Sequence, residues 1–316
     1  MTELRELGTS GLRTPPLVLG GNVFGWTVDK AESFRILDAF ADAGGVMIDT
    51  ADVYSAWVDD NKGGESEAII GEWLRHSGKR DKVLIATKVG MLPGEGGEKL
   101  APARIAAAVD ASLARLGTDH IDLYFAHQDD ETVPQEEVAH AFARLVQAGK
   151  VRVLGASNFH AGRLKSALDV ARREGLAHYQ VLQPLYNLVS RHKYEGELCD
   201  LCITHNIGVV PFYGLAAGYL TGKYRKESDL AGSARRGGVE PLMQGKGPVV
   251  LAAMDEVAAE TGATLPQIAL AWLAAQEGVT APIASATSVA QLDEILGSFE
   301  LQLSQDQLDR LCTAGA

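Results

Sequence analysis

Asp49 and Tyr54 stand five positions apart, just after the short apolar run Val46-Met47-Ile48. Such a run reads as a buried strand, and an acid followed by a phenol at its carboxyl end suggests chemistry. Each alone has an ordinary reading, Asp49 as a turn cap and Tyr54 as a half-buried packing residue. Their company elsewhere in the chain decides between the two. The run Val83-Leu84-Ile85-Ala86-Thr87 ends at Lys88, and Leu123-Tyr124-Phe125-Ala126 ends at His127-Gln128. Further runs end at Ser157-Asn158, at Gln183 and at Phe212-Tyr213. An acid, a phenol, an amine and an imidazole at neighbouring strand ends suit proton delivery. An ammonium beside a phenol favours the phenolate, so Lys88 is expected to lower the Tyr54 pKa from about 10 and let it donate and regain a proton near neutrality. Asp49 would hold Lys88 charged and in place, and a neutral His127 would hydrogen-bond and orient a substrate oxygen. Asp52, in the same stretch, reads as a turn residue.

To meet at one mouth, these groups need strands that run in the same direction. Candidate strands begin near Leu17, Val46, Val83, Ile121, Val151, Tyr179, Ile207 and Ala281. Between them Ala31–Ala43, Glu67–Arg75, Ala103–Leu116, Glu136–Ala148, Leu164–Arg173, Glu195–His205 and Pro266–Gln276 carry apolar residues at helical spacing. Alternating β and α units imply a parallel sheet, and eight of them imply a closed (β/α)8 TIM barrel whose strand carboxyl ends converge on one face. One domain over 1–316 is expected. The gap between Ile207 and Ala281 breaks the rhythm with a long segment, Gly222 to Gly247, and an extra helix, Val249 to Glu260; we read it as a functional loop. At the amino terminus the apolar runs Leu4–Leu7 and Leu17–Leu19, joined by Gly8-Thr9-Ser10-Gly11, signal a β-hairpin placed to plug the opposite mouth. The turn Gly20-Gly21-Asn22-Val23-Phe24-Gly25 lacks the order of a dinucleotide or P-loop fingerprint.

Composition narrows the partners. A net charge of −12, from 29 basic and 41 acidic residues, argues against nucleic acid or an acidic membrane surface. No apolar run approaches the roughly 18 residues of a membrane span, and Met1-Thr2-Glu3-Leu4-Arg5 has no apolar signal core, so a cytoplasmic protein is expected. The three cysteines form no disulfide framework; Cys199 and Cys202 have C-x-x-C spacing but sit in an apolar helical stretch and read as buried thiols. No metal site is expected.

Taken in order, Asp49-Thr50-Ala51-Asp52-Val53-Tyr54, Gly64-Glu65-Ser66-Glu67, Thr87-Lys88, His127-Gln128, Gly155-Ala156-Ser157-Asn158-Phe159, Gln183-Pro184-Leu185-Tyr186-Asn187 and Gly218-Tyr219-Leu220-Thr221-Gly222-Lys223 resemble the aldo-keto reductases over nearly the whole chain. The resemblance implies a tetrad of Asp49, Tyr54, Lys88 and His127, and NADP(H) laid extended across the barrel mouth. It implies that Ser157, Asn158 and Gln183 hold the nicotinamide carboxamide, with Phe212 stacked on the ring and Gly21-Asn22 near the ribose. Tyr213, Leu215, Gly218 and Lys223 would line the pyrophosphate, and Ser285, Thr287, Gln291 and Glu294 the adenosine end. Here the chain departs from the family: Ser285 replaces a frequent glycine, Ile295 a frequent asparagine, and no Arg or Lys lies between Pro282 and Ile295. Arg225, Lys226, Arg235 and Arg236 of the long loop are candidates for the missing charge, and NADPH is expected to bind more tightly than NADH.

The expected activity is the interconversion of an aldehyde or ketone with its alcohol. The alternative is an NADP(H)-binding regulatory or sensor subunit with little turnover, as the potassium-channel β subunits of this superfamily are thought to be. Val23, Phe24, Trp26 and Trp57 are expected to wall an apolar substrate pocket, which favours a bulky or aromatic carbonyl compound. Oligomeric state is not legible.

Overall fold

In the computed structural model, which describes residues 3–316, the predicted strands are parallel neighbours in one sheet. A hairpin of β1 (Arg5–Glu6) and β2 (Arg13–Thr14) precedes it. The sheet contains β3 (Val18–Gly20), β4 (Met47–Asp49), β5 (Leu84–Val89), β6 (Ile121–Ala126), β7 (Val151–Ser157), β8 (Tyr179–Gln183), β9 (Gly208–Val209) and β10 (Ile283–Ala284). Its order is β10-β3-β4-β5-β6-β7-β8-β9. Thr280 N donates to Val209 O at 2.8 Å and Ile283 N to Pro211 O at 2.8 Å, which returns the last strand to the ninth and closes the (β/α)8 ring. No helix among the described residues is long and apolar enough to cross a membrane.

Helices α1 (Lys30–Asp42), α2 (Glu65–Ser77), α3 (Pro102–Leu116), α4 (Gln135–Gln147), α5 (Ala161–Glu174) and α6 (Glu197–Thr204) follow successive strands. The long loop is mostly short helical turns, Glu227–Leu230, α7 (Arg236–Val239) and Glu240–Met243, before α8 (Lys246–Thr261) and α9 (Leu265–Ala274). Two helices absent from the sequence reading close the chain, α10 (Val289–Leu296) and α11 (Gln305–Gly315).

The core has two layers because strand side chains alternate. One face of each strand packs outward under the helices, as Ile48, Ile85, Val89 and Leu154 do. The other fills the barrel with Val18, Met47, Ala86, Leu123, Phe125, Val153, Val181, Val210, Ala281 and Ile283. Leu7 and Leu12 of the hairpin join this inner layer, so the hairpin does plug the barrel. Its second arm, however, is Arg13–Thr14 and not the predicted Leu17–Leu19, which belongs to the first barrel strand. Pro15 and Pro16 separate the two segments, and the missing N–H groups end the pairing there. At β7, a Cβ on Gly155 would meet the Phe125 ring at 2.4 Å, so the missing side chain makes room for the larger neighbour.

Candidate active site

The same alternation sets the site. Continuing each inward column by two residues leads from Met47 to Asp49, from Ala86 to Lys88, from Phe125 to His127, from Gly155 to Ser157, from Val181 to Gln183, from Val210 to Phe212 and from Ile283 to Ser285. Apolar side chains fill the barrel below, and polar ones crown it at the strand carboxyl ends.

Lys88 is fully buried, and each N–H of its ammonium has an acceptor: Asp49 Oδ2 at 2.6 Å, Thr50 O at 2.7 Å and Tyr54 Oη at 3.1 Å. Burial works against that charge, but Asp49 and Tyr54 more than offset it and the lysine pKa is raised. Since Tyr54 Oη accepts from Lys88, the phenol proton is left free to face the cavity. Lys88 does pull the Tyr54 pKa down as expected, but the expected net lowering does not occur. Burial raises it, Lys88 pulls it down, Asp49 pushes it up again, and the net shift is upward from 10.0. His127 is buried with Nδ1 unpartnered, and burial together with the Lys88 charge holds its pKa well below 6.5, so the ring is neutral. Its centroid lies 6.0 Å from that of Tyr54.

Three residues named for the nicotinamide also brace the tetrad. Gln183 Nε2 donates to Asp49 Oδ1 at 2.9 Å, Ser157 Oγ to Gln183 O at 2.9 Å, and Asn158 Nδ2 to His127 O at 2.8 Å. Behind them stands a latch formed by the Gly64-Glu65-Ser66-Glu67 motif, whose role the sequence did not disclose. Glu65 accepts from the backbone N–H groups of Ser55, Lys62 and Gly63, fixing the loop that carries Trp57. Ser66 Oγ accepts from Thr50 Oγ1 and donates to Gly21 O, both at 2.8 Å. Buried Glu67 takes Thr87 Oγ1 at 2.6 Å and Arg115 Nε at 2.7 Å. Asp52, read as a turn residue, does lie in a turn but is fully buried beside this latch, with Oδ2 on Arg104 Nη2 at 3.2 Å and Oδ1 unpartnered. Burial and the Glu67 charge push its carboxyl up to about 7, against the pull of Arg104 and Arg115.

Above the tetrad opens a cavity of about 560 Å³, within the range of ligand pockets. Asp49 and Tyr54 line one part, and Asn22, Phe212, Tyr213, Leu215, Gly218, Lys223, Ser285, Thr287, Gln291 and Glu294 line the rest. Gly21, Lys88, His127, Ser157, Asn158 and Gln183 are not part of this lining; Lys88 and His127 belong to the tetrad, Asn158 and Gln183 hydrogen-bond to it, and Ser157 hydrogen-bonds to Gln183. The lining suits an extended anionic dinucleotide. Tyr213, Ala216 and Ala217 have φ of +66°, +48° and +57°, an uncommon left-handed run for residues with a Cβ and a mark of function. Next to them the Gly218 backbone, at φ +88°, lies bare beside Lys223. At the far end Ser285 Oγ donates to Asn22 Oδ1 at 2.6 Å, while Thr287 N and Oγ1 both donate to Gln291 Oε1 at 2.9 Å.

Of the residues assigned to the substrate, Trp57 lines the cavity and is 48% exposed, and Trp26 meets it edge-on at 5.6 Å. Val23 and Phe24 correct the reading: both are fully buried in the outer core, and neither lines the cavity. The loop cations divide as well. Arg225 is paired with Asp255 and Arg236 with Glu227 and Glu240, which leaves Arg235 as the one of the four that lines the cavity. Among the described residues no three His, Cys, Asp or Glu gather as a metal site, and Cys199, Cys202 and Cys312 are free thiols.

This geometry agrees with what the chain is similar to. The model of the aldo/keto reductase family matches residues 16–315, and the chain belongs to that family. An uncharacterized oxidoreductase, YrpG, of Bacillus subtilis (strain 168) is 34% identical over 98% of this chain and 94% of its own. A probable voltage-gated potassium channel subunit beta of Oryza sativa subsp. japonica is 33% identical over 95% of this chain and 92% of its own. The L-glyceraldehyde 3-phosphate reductase of Escherichia coli (strain K12) is 33% identical, over 92% and 86%. Members of the family generally bind NADP(H) and act on small-molecule carbonyl substrates, and the chain is an oxidoreductase.

Proposed function

We propose that the chain interconverts an aldehyde or ketone with its alcohol using NADP(H), with Tyr54 as the group that gives and regains the proton. The observation that carries this is the buried Lys88 Nζ, which bridges Asp49 and Tyr54 Oη at the edge of the large cavity. The cofactor would be held by Asn22, Ser157, Asn158, Gln183 and Phe212 at its nicotinamide half, by Tyr213, Leu215, Gly218 and Lys223 along its diphosphate, and by Ser285, Thr287, Gln291 and Glu294 at its adenosine. When bound, it supplies the hydride. The protein's residues handle the proton: the raised pKa keeps Tyr54 protonated and ready to donate to the substrate oxygen. The Lys88 ammonium, fixed by Asp49, stabilises the phenolate left behind until it is reprotonated. Neutral His127 orients the oxygen without competing for the proton.

Trp57 and Trp26 support a bulky or aromatic carbonyl compound as substrate, and three free thiols fit the reducing cytoplasm. Replacing Tyr54 by Phe tests the reading. NADPH oxidation with an aromatic aldehyde should fall by about 10²–10⁴-fold while NADPH still quenches protein fluorescence with an unchanged Kd. Turnover retained in Tyr54→Phe removes this residue as the acid. The likeness to probable channel β subunits supports a second reading, a subunit that binds NADP(H) with little turnover. It would be favoured if NADPH bound but no member of a carbonyl panel were reduced.

A further inference from the structure

Arg235 is a half-buried cation facing a cavity, with no carboxylate within ion-pair distance and no side-chain hydrogen bond among the described residues. Its neighbours in the loop make the contrast, since Arg225 and Arg236 are each committed to carboxylates. Its guanidinium instead lies 5.2 Å from the centroid of Trp26. Trp26 packs edge-on against Trp57 at 5.6 Å, and Trp57 packs against Tyr54 at 5.7 Å. One continuous wall therefore runs from the phenol through two indoles to a guanidinium. The loop after β9 reaches past β10 to the loop after β3 to complete it. The other cation on the cavity, Lys223, sits beside Gly218, at the stretch suited to the cofactor diphosphate.

We propose that Arg235 is a specificity determinant that selects carbonyl compounds carrying a carboxylate or phosphate remote from the reacting carbon, their apolar body lying along Trp57 and Trp26. This rests on the carbonyl-reductase reading above. A protein of net charge −12 repels anions, so a guanidinium left with its donors unpaired inside the mouth supplies the local attraction they need. Arg holds carboxylate and phosphate through its planar fork, and stacking on an indole pre-orients that fork. The remoteness follows from the wall: two indoles separate the guanidinium from Tyr54.

The test compares 4-formylbenzoate with its methyl ester, which share the aldehyde and the ring and differ in charge. Wild type should favour the anion in kcat/KM, and Arg235→Met should reduce the ratio of the two by about tenfold, with Arg235→Lys recovering part of it. An unchanged ratio overturns the proposal. So does an unchanged ratio accompanied by a weakened Kd for NADPH, which would assign the guanidinium to the cofactor diphosphate. If wild type reduces neither aldehyde, it is the reductase reading that fails, and the anion site is then read by binding. Terephthalate titrated into NADPH-loaded protein should change tryptophan fluorescence saturably, with a Kd raised about tenfold in Arg235→Met. No saturable binding to wild type, or equal binding by the two proteins, overturns it.

Discussion

Gln183 Nε2 donates to Asp49 Oδ1 at 2.9 Å while Lys88 holds Oδ2 of the same carboxylate. A residue expected to grip the cofactor thus also fixes the anchor of Lys88 from across the barrel. Gln183→Ala is expected to lower kcat by about tenfold even at saturating NADPH, beyond any loss of cofactor affinity, because one oxygen of a buried carboxylate loses its donor. Steady-state kinetics with NADPH well above its Kd checks this; a normal kcat under those conditions would remove the bracing role.

Asp52 gives stability a pH dependence of unusual sign. Its carboxyl titrates at about 7 in the fold and near the ordinary value of about 4 when unfolded. Between those limits the native state binds the extra proton, so the contribution of Asp52 is fully present below about pH 4 and is lost as pH rises through 7. Relative to wild type, Asp52→Asn should therefore gain stability between pH 5 and pH 8. Urea unfolding of the two proteins at both pH values measures the change, and a constant difference would contradict it.

His127 acts in the opposite sense. It is held neutral in the fold by burial and by Lys88, yet an unfolded histidine takes up a proton below about 6.5. Its contribution is present above that pH and is lost as pH falls. His127→Asn should narrow its stability deficit relative to wild type when unfolding is repeated at pH 5.5 instead of pH 8, whereas a deficit independent of pH would show that the imidazole titrates normally.

At the proposed adenosine end, where no Arg or Lys lies between Pro282 and Ile295, hydrogen-bond donors would do what cations do elsewhere. The Oε1 of Gln291 is engaged by Thr287, which leaves its amide N–H groups free toward the cavity. We expect NADPH to bind more tightly than NADH, and Gln291→Ala to weaken NADPH by several-fold, up to about tenfold, with less effect on NADH. Fluorescence titrations decide; equal dissociation constants for the two cofactors in wild type would end the expectation.

The site could be read in the sequence where apolar runs stopped abruptly. Asp49, Lys88 and His127 each follow such a run, and alternation along a barrel strand leaves little choice of direction. Legibility failed where a side chain's surroundings come from far along the chain. Asp52 looks like any turn aspartate until Arg104, 52 residues on, is folded against it. Val23 and Phe24 follow a glycine turn, and only the path of that turn decides between core and cavity. The direction of the Tyr54 pKa shift is not legible from Lys88 alone, because burial opposes the pull of the ammonium and outweighs it. Helices α10 and α11 carry start signals, the Ser288 cap and the Ser304–Gln307 capping box, but are too short for their apolar periodicity to stand out.

The hydrogen bond from Ser285 to Asn22 joins positions 263 residues apart. A chain emerging from the ribosome thus carries Asp49, Tyr54, Lys88 and His127 long before it has Ile283 to pair with the first barrel strand and Ser285 to reach Asn22. The proposed proton machinery is written in the first half of the message and the far end of the proposed cofactor seat in the last tenth, so a truncated product would hold the proposed acid without a complete seat for the dinucleotide.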